Sequence, residues 1–182
     1  MPPLSSDELF VATVDLDAGE AAIDAGPVSE YRSAAEKWVE RIPVEASLAA
    51  VFGYDSDRSV LAVRGEADLQ GRLHAYLTSI GHTVVRHRIR TTDDVELFTD
   101  LYDETRDVLI EVKNDVQRQT LRMALGQILD YQRYVNAASS AVLVPVQPAG
   151  EMIALLGQYG VDVVWPHGAG FVSDSHVPWL AR

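Results

Sequence analysis

The run of residues 95–113 alternates between apolar and polar side chains, and this period of two limits the fold of the chain more than any other feature. Successive side chains on a β-strand point to opposite faces. Val108, Ile110 and Val112 therefore share one face of the second half of the run. Glu111 and Lys113 share the other face. The run is predicted to form two paired strands joined by a short turn.

The first half of the run places an acidic residue opposite Glu111. Residues 95–102 are predicted to form one strand, with its even-numbered side chains on one face and its odd-numbered side chains on the other. A turn centred between residues 105 and 106 puts Asp100 directly across from Glu111, because both are equally far from that centre. Directly opposed residues share a face. Two carboxylates are therefore expected to lie together beside the ammonium group of Lys113.

Such a pair of carboxylates has a chemical meaning, because each disfavours ionisation of the other. A fold keeps the pair either protonated or neutralised by a cation, and oxygen ligands on rigid strands suit Mg²⁺ or Mn²⁺. A lysine beside the metal can hold a water or stabilise charge on a phosphate, as in metal-assisted hydrolysis of a phosphodiester. Taken alone, the pattern also fits solvated residues on the open face of a hairpin.

A further carboxylate, Glu66, begins a segment with helical periodicity. Glu66, Leu69 and Leu73 fall on one helix face. Two interpretations stay open: Glu66 points toward a polar site, or it is a first-turn acid that favours the helix dipole by about 0.3–1 kcal/mol. Gly81 is predicted to end this helix in a left-handed conformation. Residues 59–64 before it are predicted to form a strand.

Residues 117–135 are predicted to form a helix with an apolar stripe. Gln127 and Tyr131 are four residues apart and share a face beside that stripe. They either reach a neighbouring polar site or belong to ordinary helix surface. The elements predicted after this helix are a strand at 141–146, a helix at 150–159 and a strand at 161–165.

The order of these elements resembles the PD-(D/E)XK, or restriction-endonuclease-like, nuclease superfamily over about residues 60–166. The residues that carry the resemblance are Glu66, Asp100, the triplet Glu111-Val112-Lys113, and Gln127 with Tyr131. The resemblance implies an α/β fold with a central mixed β-sheet flanked by α-helices. One departure is Thr99, which stands where the family pattern has proline before the aspartate.

The resemblance also implies a role for each of these residues. Asp100 and Glu111 would bind Mg²⁺ or Mn²⁺ with the help of Glu66. Lys113 would act near the attacking water. Gln127 and Tyr131 match the Gln-x-x-x-Tyr motif of a RecB-like branch, where the pair packs against the site and helps to place the substrate.

Composition bounds the remaining possibilities. The 182 residues suit one domain and contain no cysteine, which excludes disulfides and thiolate metal sites. No apolar run approaches the ~20 residues of a membrane helix, and the first residues do not resemble a signal peptide. We therefore expect a cytoplasmic protein. Its predicted parts are an acidic region, 1–58, packed on or appended to the core, and a nuclease-like domain, 59–182.

The terminal segments are predicted with less support from periodicity. The N-terminal region is expected to hold a strand at 9–16 and helices at 29–41 and 47–54. The tail at 176–182 carries apolar residues and is expected to dock on the body of the protein or on a partner.

The net charge of −12 argues against strong nonspecific binding of nucleic acid, since such affinity comes from neutralising phosphates. The charge is uneven: residues 1–63 carry −8, whereas residues 82–135 carry −2. A strand is also predicted at 82–89. Arginines on or directly after this strand and on the helix at 117–135 either contact phosphates or form solvated surface. These are Arg86, Arg88, Arg90, Arg118 and Arg122.

The predicted function is that of a metal-dependent nuclease. The resemblance implies hydrolysis of phosphodiester bonds, most often of DNA, in restriction, defence or repair. Because an acidic protein is expected to bind a polyanion weakly by itself, a homodimer or a recruiting protein is expected as a further partner. The alternative is a binding or assembly subunit that keeps the fold but performs no chemistry. The acidic composition and the lack of a DNA-reading module favour that alternative.

Overall fold

The computed structural model of the protein describes residues 38–44, 57–92, 94–174 and 180. These residues form one mixed eight-stranded β-sheet with three helices packed on it. The helices are α1 (Asp57–Ser79), α2 (Arg118–Tyr131) and α3 (Gly150–Gly157). The strands are β1 (Val39–Ile42), β2 (Val84–Arg90), β3 (Glu96–Phe98), β4 (Leu101–Asp103), β5 (Val108–Val112), β6 (Ser139–Leu143), β7 (Val161–His167) and β8 (Gly170–Ser173).

The strands follow the order β1-β2-β4-β5-β6-β7-β8, and β3 pairs with β2 beside β4. β5, β6 and β7 are parallel because α2 and α3 serve as the crossover connections between them. The other pairings are antiparallel. β5 is buried along its whole length and β6 is buried at all but its first residue, as expected for central strands covered on both faces. The prediction of an α/β fold with a mixed sheet flanked by helices is confirmed.

The two faces of the sheet hold separate apolar cores. α1 packs on one face, where Leu69, Leu73 and Leu77 meet Leu101 and Ile110. α2 and α3 pack on the other face. The core on that side includes Leu109, Leu121, Ile128, Val142, Leu156 and Val163. None of the helices in the described ranges is both long and apolar enough to cross a membrane.

α1 starts earlier than the sequence pattern indicates. The predicted strand at 59–64 is wrong, because these residues lie inside α1. Short apolar runs do not distinguish a strand from a helix by periodicity. Glu66 consequently lies in the third turn, too far from the helix start for the dipole to explain it. Gly81, with φ of 94°, ends the helix as predicted, and the His82 N–H donates to the Leu77 carbonyl at 3.0 Å.

The hairpin of β4 and β5 has the register that the alternation predicts. Leu101 pairs with Ile110, and Asp103 pairs with Val108, so the turn is centred between residues 105 and 106. One further step along this register places Asp100 opposite Glu111. The buried pair of His82 and Asp103, with Nδ1 and Oδ2 2.6 Å apart, ties the end of α1 to this hairpin.

The strand predicted at 95–102 is interrupted by a β-bulge between β3 and β4. Between the pairs Arg88–Phe98 and Val85–Tyr102, three residues stand opposite two, so one residue is extra. Leu97 packs in the core beside α2, whereas Leu101 packs in the core beside α1. The predicted single alternation is therefore wrong across residues 98–101, although Asp100 and Glu111 still face each other.

The described part of the N-terminal region belongs to the same sheet. Residues 39–42 form β1, paired with β2, so the predicted helix at 29–41 is wrong at its end. The segments 9–16 and 47–54 lie outside the described residues. Of the tail, Leu180 is described: it is buried in the core beside α1, and its carbonyl accepts a hydrogen bond from the Tyr76 hydroxyl at 3.0 Å.

Candidate functional site

Asp100 and Glu111 form a carboxyl pair at the bulge. The backbone N–H of Val112 donates to Asp100 Oδ2 at 2.8 Å, which fixes the aspartate against β5. The register of the hairpin places Glu111 opposite Asp100. Like charges at such a position disfavour ionisation of both groups together.

The electrostatics of the pair follow from burial. Glu111 is 2% exposed. Burial and the neighbouring Asp100 raise the pKa of Glu111 to about 8, although Lys113 opposes the shift. Burial also raises the pKa of Asp100, against the Val112 hydrogen bond and the charges of Lys113 and Arg86. The pair therefore retains a proton at neutral pH unless another cation replaces it.

Lys113 is held in the same pocket. Its Nζ lies 2.6 Å from Glu111 Oε1, and its backbone N–H donates to the Leu143 carbonyl at 2.9 Å. Burial alone would lower the pKa of Lys113, but the acids Glu111, Asp100 and Glu66 together outweigh it and raise that pKa. The ammonium group is therefore charged, and it has three hydrogens, of which Glu111 uses one.

Glu66 approaches this group from α1. Its carboxylate accepts a hydrogen bond from the backbone N–H of Asn114, the residue after Lys113. Burial raises the pKa of Glu66, Lys113 lowers it, and Asp100 raises it further. Glu66 thus belongs to the same electrostatic cluster. This agrees with the first of the two interpretations of the sequence, in which a glutamate on the apolar face of its helix points toward a polar site.

The close approach of α1 to Asn114 depends on Gly65, which gives a testable prediction. A Cβ at residue 65 would lie 3.2 Å from the Asn114 Cβ, whereas a Cβ at Gly71 would meet nothing within 4 Å. We expect Gly65→Ala to destabilise the protein by about 1–3 kcal/mol through overpacking. The matched change Gly71→Ala should stabilise it by about 0.4–1 kcal/mol. Urea unfolding measures both, and equal stabilisation by the two changes would show that α1 does not press on Asn114.

Gln127 and Tyr131 lie beside the cluster. Tyr131 is 7% exposed, and burial together with Glu111 and Asp100 raises its pKa to about 12. The side chain of Gln127 hydrogen-bonds to Tyr131. The Gln127 Oε1 is buried and has no hydrogen-bond partner among the described residues. The structure therefore gathers both residues of the Gln-x-x-x-Tyr motif near the acid pair.

Two residues that position Asp100 were not predicted. Gln70, 6% exposed on α1, donates from Nε2 to the Asp100 carbonyl at 2.9 Å. Thr99 donates its N–H to the His87 carbonyl at 3.0 Å and accepts the His87 N–H on Oγ1 at 2.8 Å. Proline has neither group, which explains why threonine suits this position. Gln70 could have been found from its spacing, because it follows Glu66 by four residues in the same helix.

The candidate phosphate-binding arginines separate into two classes. Arg86 is 8% exposed and interacts electrostatically with Asp100, Glu111 and Tyr131, so the alternative of a solvated surface does not apply to it, whereas phosphate binding stays a prediction. The other four are exposed and lie outside the cluster. Arg88 pairs with Glu40, Arg90 with Asp94 and Glu96, Arg118 with Glu151, and Arg122 lies on the solvent face of α2.

The donor set fits a hard divalent cation at the acid pair. Asp100 and Glu111 offer carboxyl oxygens from the two arms of one hairpin, where a cation between them would relieve their repulsion. Within the described ranges, no three His, Cys, Asp or Glu side chains are grouped so that they could hold a metal ion. Glu66 as a third ligand therefore stays a prediction.

Comparison with known proteins adds no family assignment. No protein-family model, curated protein or solved structure matches the chain. Its function is therefore inferred from the geometry and chemistry of the cluster.

Proposed function

We propose that the protein is a metal-dependent nuclease with a restriction-endonuclease-like core. The observation that carries the proposal is the Asp100–Glu111 pair: the two carboxyl groups lie opposite each other in the hairpin, and the buried Glu111 contacts Lys113 at 2.6 Å. Two repelling carboxylates in a buried site are costly unless a cation joins them. The proposed substrate is a nucleic acid, with DNA as the first choice.

The residues of the cluster have distinct proposed roles. Asp100 and Glu111 would hold one Mg²⁺ or Mn²⁺, which supplies a polarised water and neutralises phosphate charge when it is bound. Lys113 would orient the attacking water and stabilise the charge that develops on the phosphate oxygens, using its two remaining hydrogens. Water attacks phosphorus, the bond to the leaving oxygen breaks, and that oxygen takes up a proton.

Neighbouring residues would keep this arrangement in place. Tyr131 and Gln127 lie beside the acid pair and would position the substrate backbone. Glu66 holds the segment after Lys113 through the Asn114 N–H and would assist the metal site. Gln70 and Thr99 are positioning residues, because they act on the Asp100 backbone and the bulge.

A metal titration tests the proposal. Millimolar Mn²⁺ or Mg²⁺ should raise the thermal midpoint of the wild type by several degrees, since a ligand of the native state at about 100 times its Kd adds about 2.7 kcal/mol. Asp100→Asn should stabilise the metal-free protein but remove the metal-dependent gain. The matched control Asp130→Asn, on the solvent side of α2, should respond as the wild type does.

Cleavage assays complete the test. Single-stranded DNA, double-stranded DNA and RNA are each incubated with Mn²⁺ and with EDTA. The proposal expects cleavage of at least one substrate with Mn²⁺ and none with EDTA or in Asp100→Asn. A double variant of Asp100 and Glu111 that still gains stability from Mn²⁺ would show that the metal binds elsewhere.

A specific observation favours the second candidate, a binding or assembly subunit without chemistry. Lys113 and Arg86 already place two cations near the two carboxylates, so the pair has partial charge compensation within the protein itself. For such a subunit, Mn²⁺ would leave the thermal midpoint unchanged in both the wild type and Asp100→Asn.

A further inference from the structure

Arg86 occupies an unusual position for an arginine on a strand. It is 8% exposed, and its Nε donates to the Thr99 carbonyl at 2.6 Å. Its guanidinium carbon lies 6.0 Å from the centre of the Phe98 ring. Among the described residues, its hydrogen bonds involve Nε alone, which leaves the two Nη groups without a described partner.

The surroundings of Arg86 explain why a buried charge is retained there. Burial lowers its pKa, but Asp100, Glu111 and Tyr131 oppose that shift. No described carboxylate forms an ion pair with Arg86, so the acids act on it through space. A guanidinium with unpaired Nη donors beside carboxylates can serve as their counter-cation, and its planar fork also suits a phosphate oxygen.

The cluster becomes positively charged when a divalent cation binds. Three carboxylates, Glu66, Asp100 and Glu111, face two cations, Arg86 and Lys113. Fully ionised, the five groups carry one net negative charge, and with the proton that the pair retains they are neutral. In either state a bound Mn²⁺ leaves one net positive charge, because it replaces that proton, so the metal and the anion should bind cooperatively.

We propose that Arg86 is the counter-cation of the Asp100–Glu111 pair in the metal-free protein and becomes a ligand of a phosphodiester oxygen once a divalent cation has bound. This inference depends on the proposed function, because it assumes that the pair accepts a metal. It goes beyond that function in naming which of the five candidate arginines contacts the phosphate and in setting the order of binding.

The experiment measures binding, not cleavage. Isothermal titration gives the Mn²⁺ affinity and, at saturating Mn²⁺, the affinity for dimethyl phosphate, a minimal phosphodiester. Three variants are compared with the wild type at constant 0.15 M ionic strength, because salt screens such charges. Arg86→Met removes the charge, Arg86→Lys keeps the charge but removes the planar fork, and Arg88→Met is the matched control on the exposed part of β2.

Opposite changes in the two affinities would support the proposal. Arg86→Met should bind Mn²⁺ at least tenfold more tightly, about 1.4 kcal/mol, and dimethyl phosphate at least tenfold more weakly. Arg86→Lys should keep the wild-type Mn²⁺ affinity and lose affinity for dimethyl phosphate. Arg88→Met should match the wild type in both measurements. Far-UV circular dichroism without metal checks that each variant is folded.

Other outcomes separate this inference from the proposed function. If the wild type binds Mn²⁺ but Arg86→Met shows either affinity unchanged, the role of Arg86 is overturned and the metal site stands. If Arg86→Met does not fold, wild-type affinity of Arg86→Lys for dimethyl phosphate overturns the role instead. If only Arg86→Met binds Mn²⁺, Arg86 is a permanent counter-cation; the order of binding and the nuclease proposal both fail.

Discussion

Lys113→Met should reduce the rate of phosphodiester cleavage by about 10²–10⁴-fold while Mn²⁺ binding is retained or strengthened. The ammonium contacts Glu111 at 2.6 Å and has two further hydrogens for water and phosphate. Removing one positioned electrostatic or proton-handling group from an active site costs rates of this order. Removing its positive charge also leaves the carboxylates more attractive to a cation. Single-turnover cleavage at saturating Mn²⁺ measures the chemical step directly.

The control for this prediction is Arg106→Met, which removes an exposed cation from the turn at the far end of the same hairpin. It should leave the cleavage rate unchanged. A Lys113→Met protein that cleaves within tenfold of the wild type would remove Lys113 from the chemistry. A protein that has lost Mn²⁺ binding would instead assign Lys113 to the positioning of Glu111.

The metal-free protein should lose stability as the pH rises from about 5 to about 8, and Glu111→Gln should abolish that loss. The pKa of Glu111 is about 8 in the folded protein, against 4.5 for an ordinary glutamate. A raised folded-state pKa means that the unfolded chain releases the proton first. The associated stability is therefore present below about 4.5 and is lost as the pH rises through the folded-state pKa. The loss is on the order of a few kcal/mol, at about 1.4 kcal/mol per pKa unit.

The measurement is the free energy of unfolding in EDTA at several pH values for the wild type and Glu111→Gln. The difference between the two curves isolates the contribution of Glu111 to the free energy of unfolding from that of every other group. Glu151→Gln, which changes an exposed glutamate, should follow the wild-type curve. With Mn²⁺ present the trend should reverse, because the proton must leave before the metal binds. Parallel wild-type and Glu111→Gln curves in EDTA would show that Glu111 is not buried as described.

The parts of the site that sequence patterns predict are those set by local geometry. Asp100 and Glu111 are brought together by a single hairpin, and strand alternation with a short turn is enough to predict their register. Gln127 and Tyr131 are fixed by one helical turn. In each case the spacing along the chain determines the spacing in the molecule.

The parts that were missed depend on pairing between distant segments. The bulge arises because β2 pairs with both β3 and β4 in registers that differ by one residue, and no local sequence pattern indicates that difference. Arg86 lies in the same part of β2 and is buried, whereas its alternation with Arg88 and Arg90 predicts three equivalent residues. Residues 39–42 form a strand because β2 pairs with them, and such tertiary context overrides local propensity.

The β-bulge also predicts where the chain tolerates a change in length. Thr92, Asp94 and Val95, in the turn before β3, are exposed, so an insertion there would extend a surface loop at small cost. A residue deleted between Phe98 and Leu101 would instead remove the one extra position and with it the bulge, where the Thr99 and Asp100 carbonyls accept hydrogen bonds from Arg86 and Gln70. Homologous sequences should therefore vary in length before β3 and keep a constant spacing from Phe98 to Glu111. An alignment that places a gap inside this interval would pair the aspartate with a residue from the wrong face.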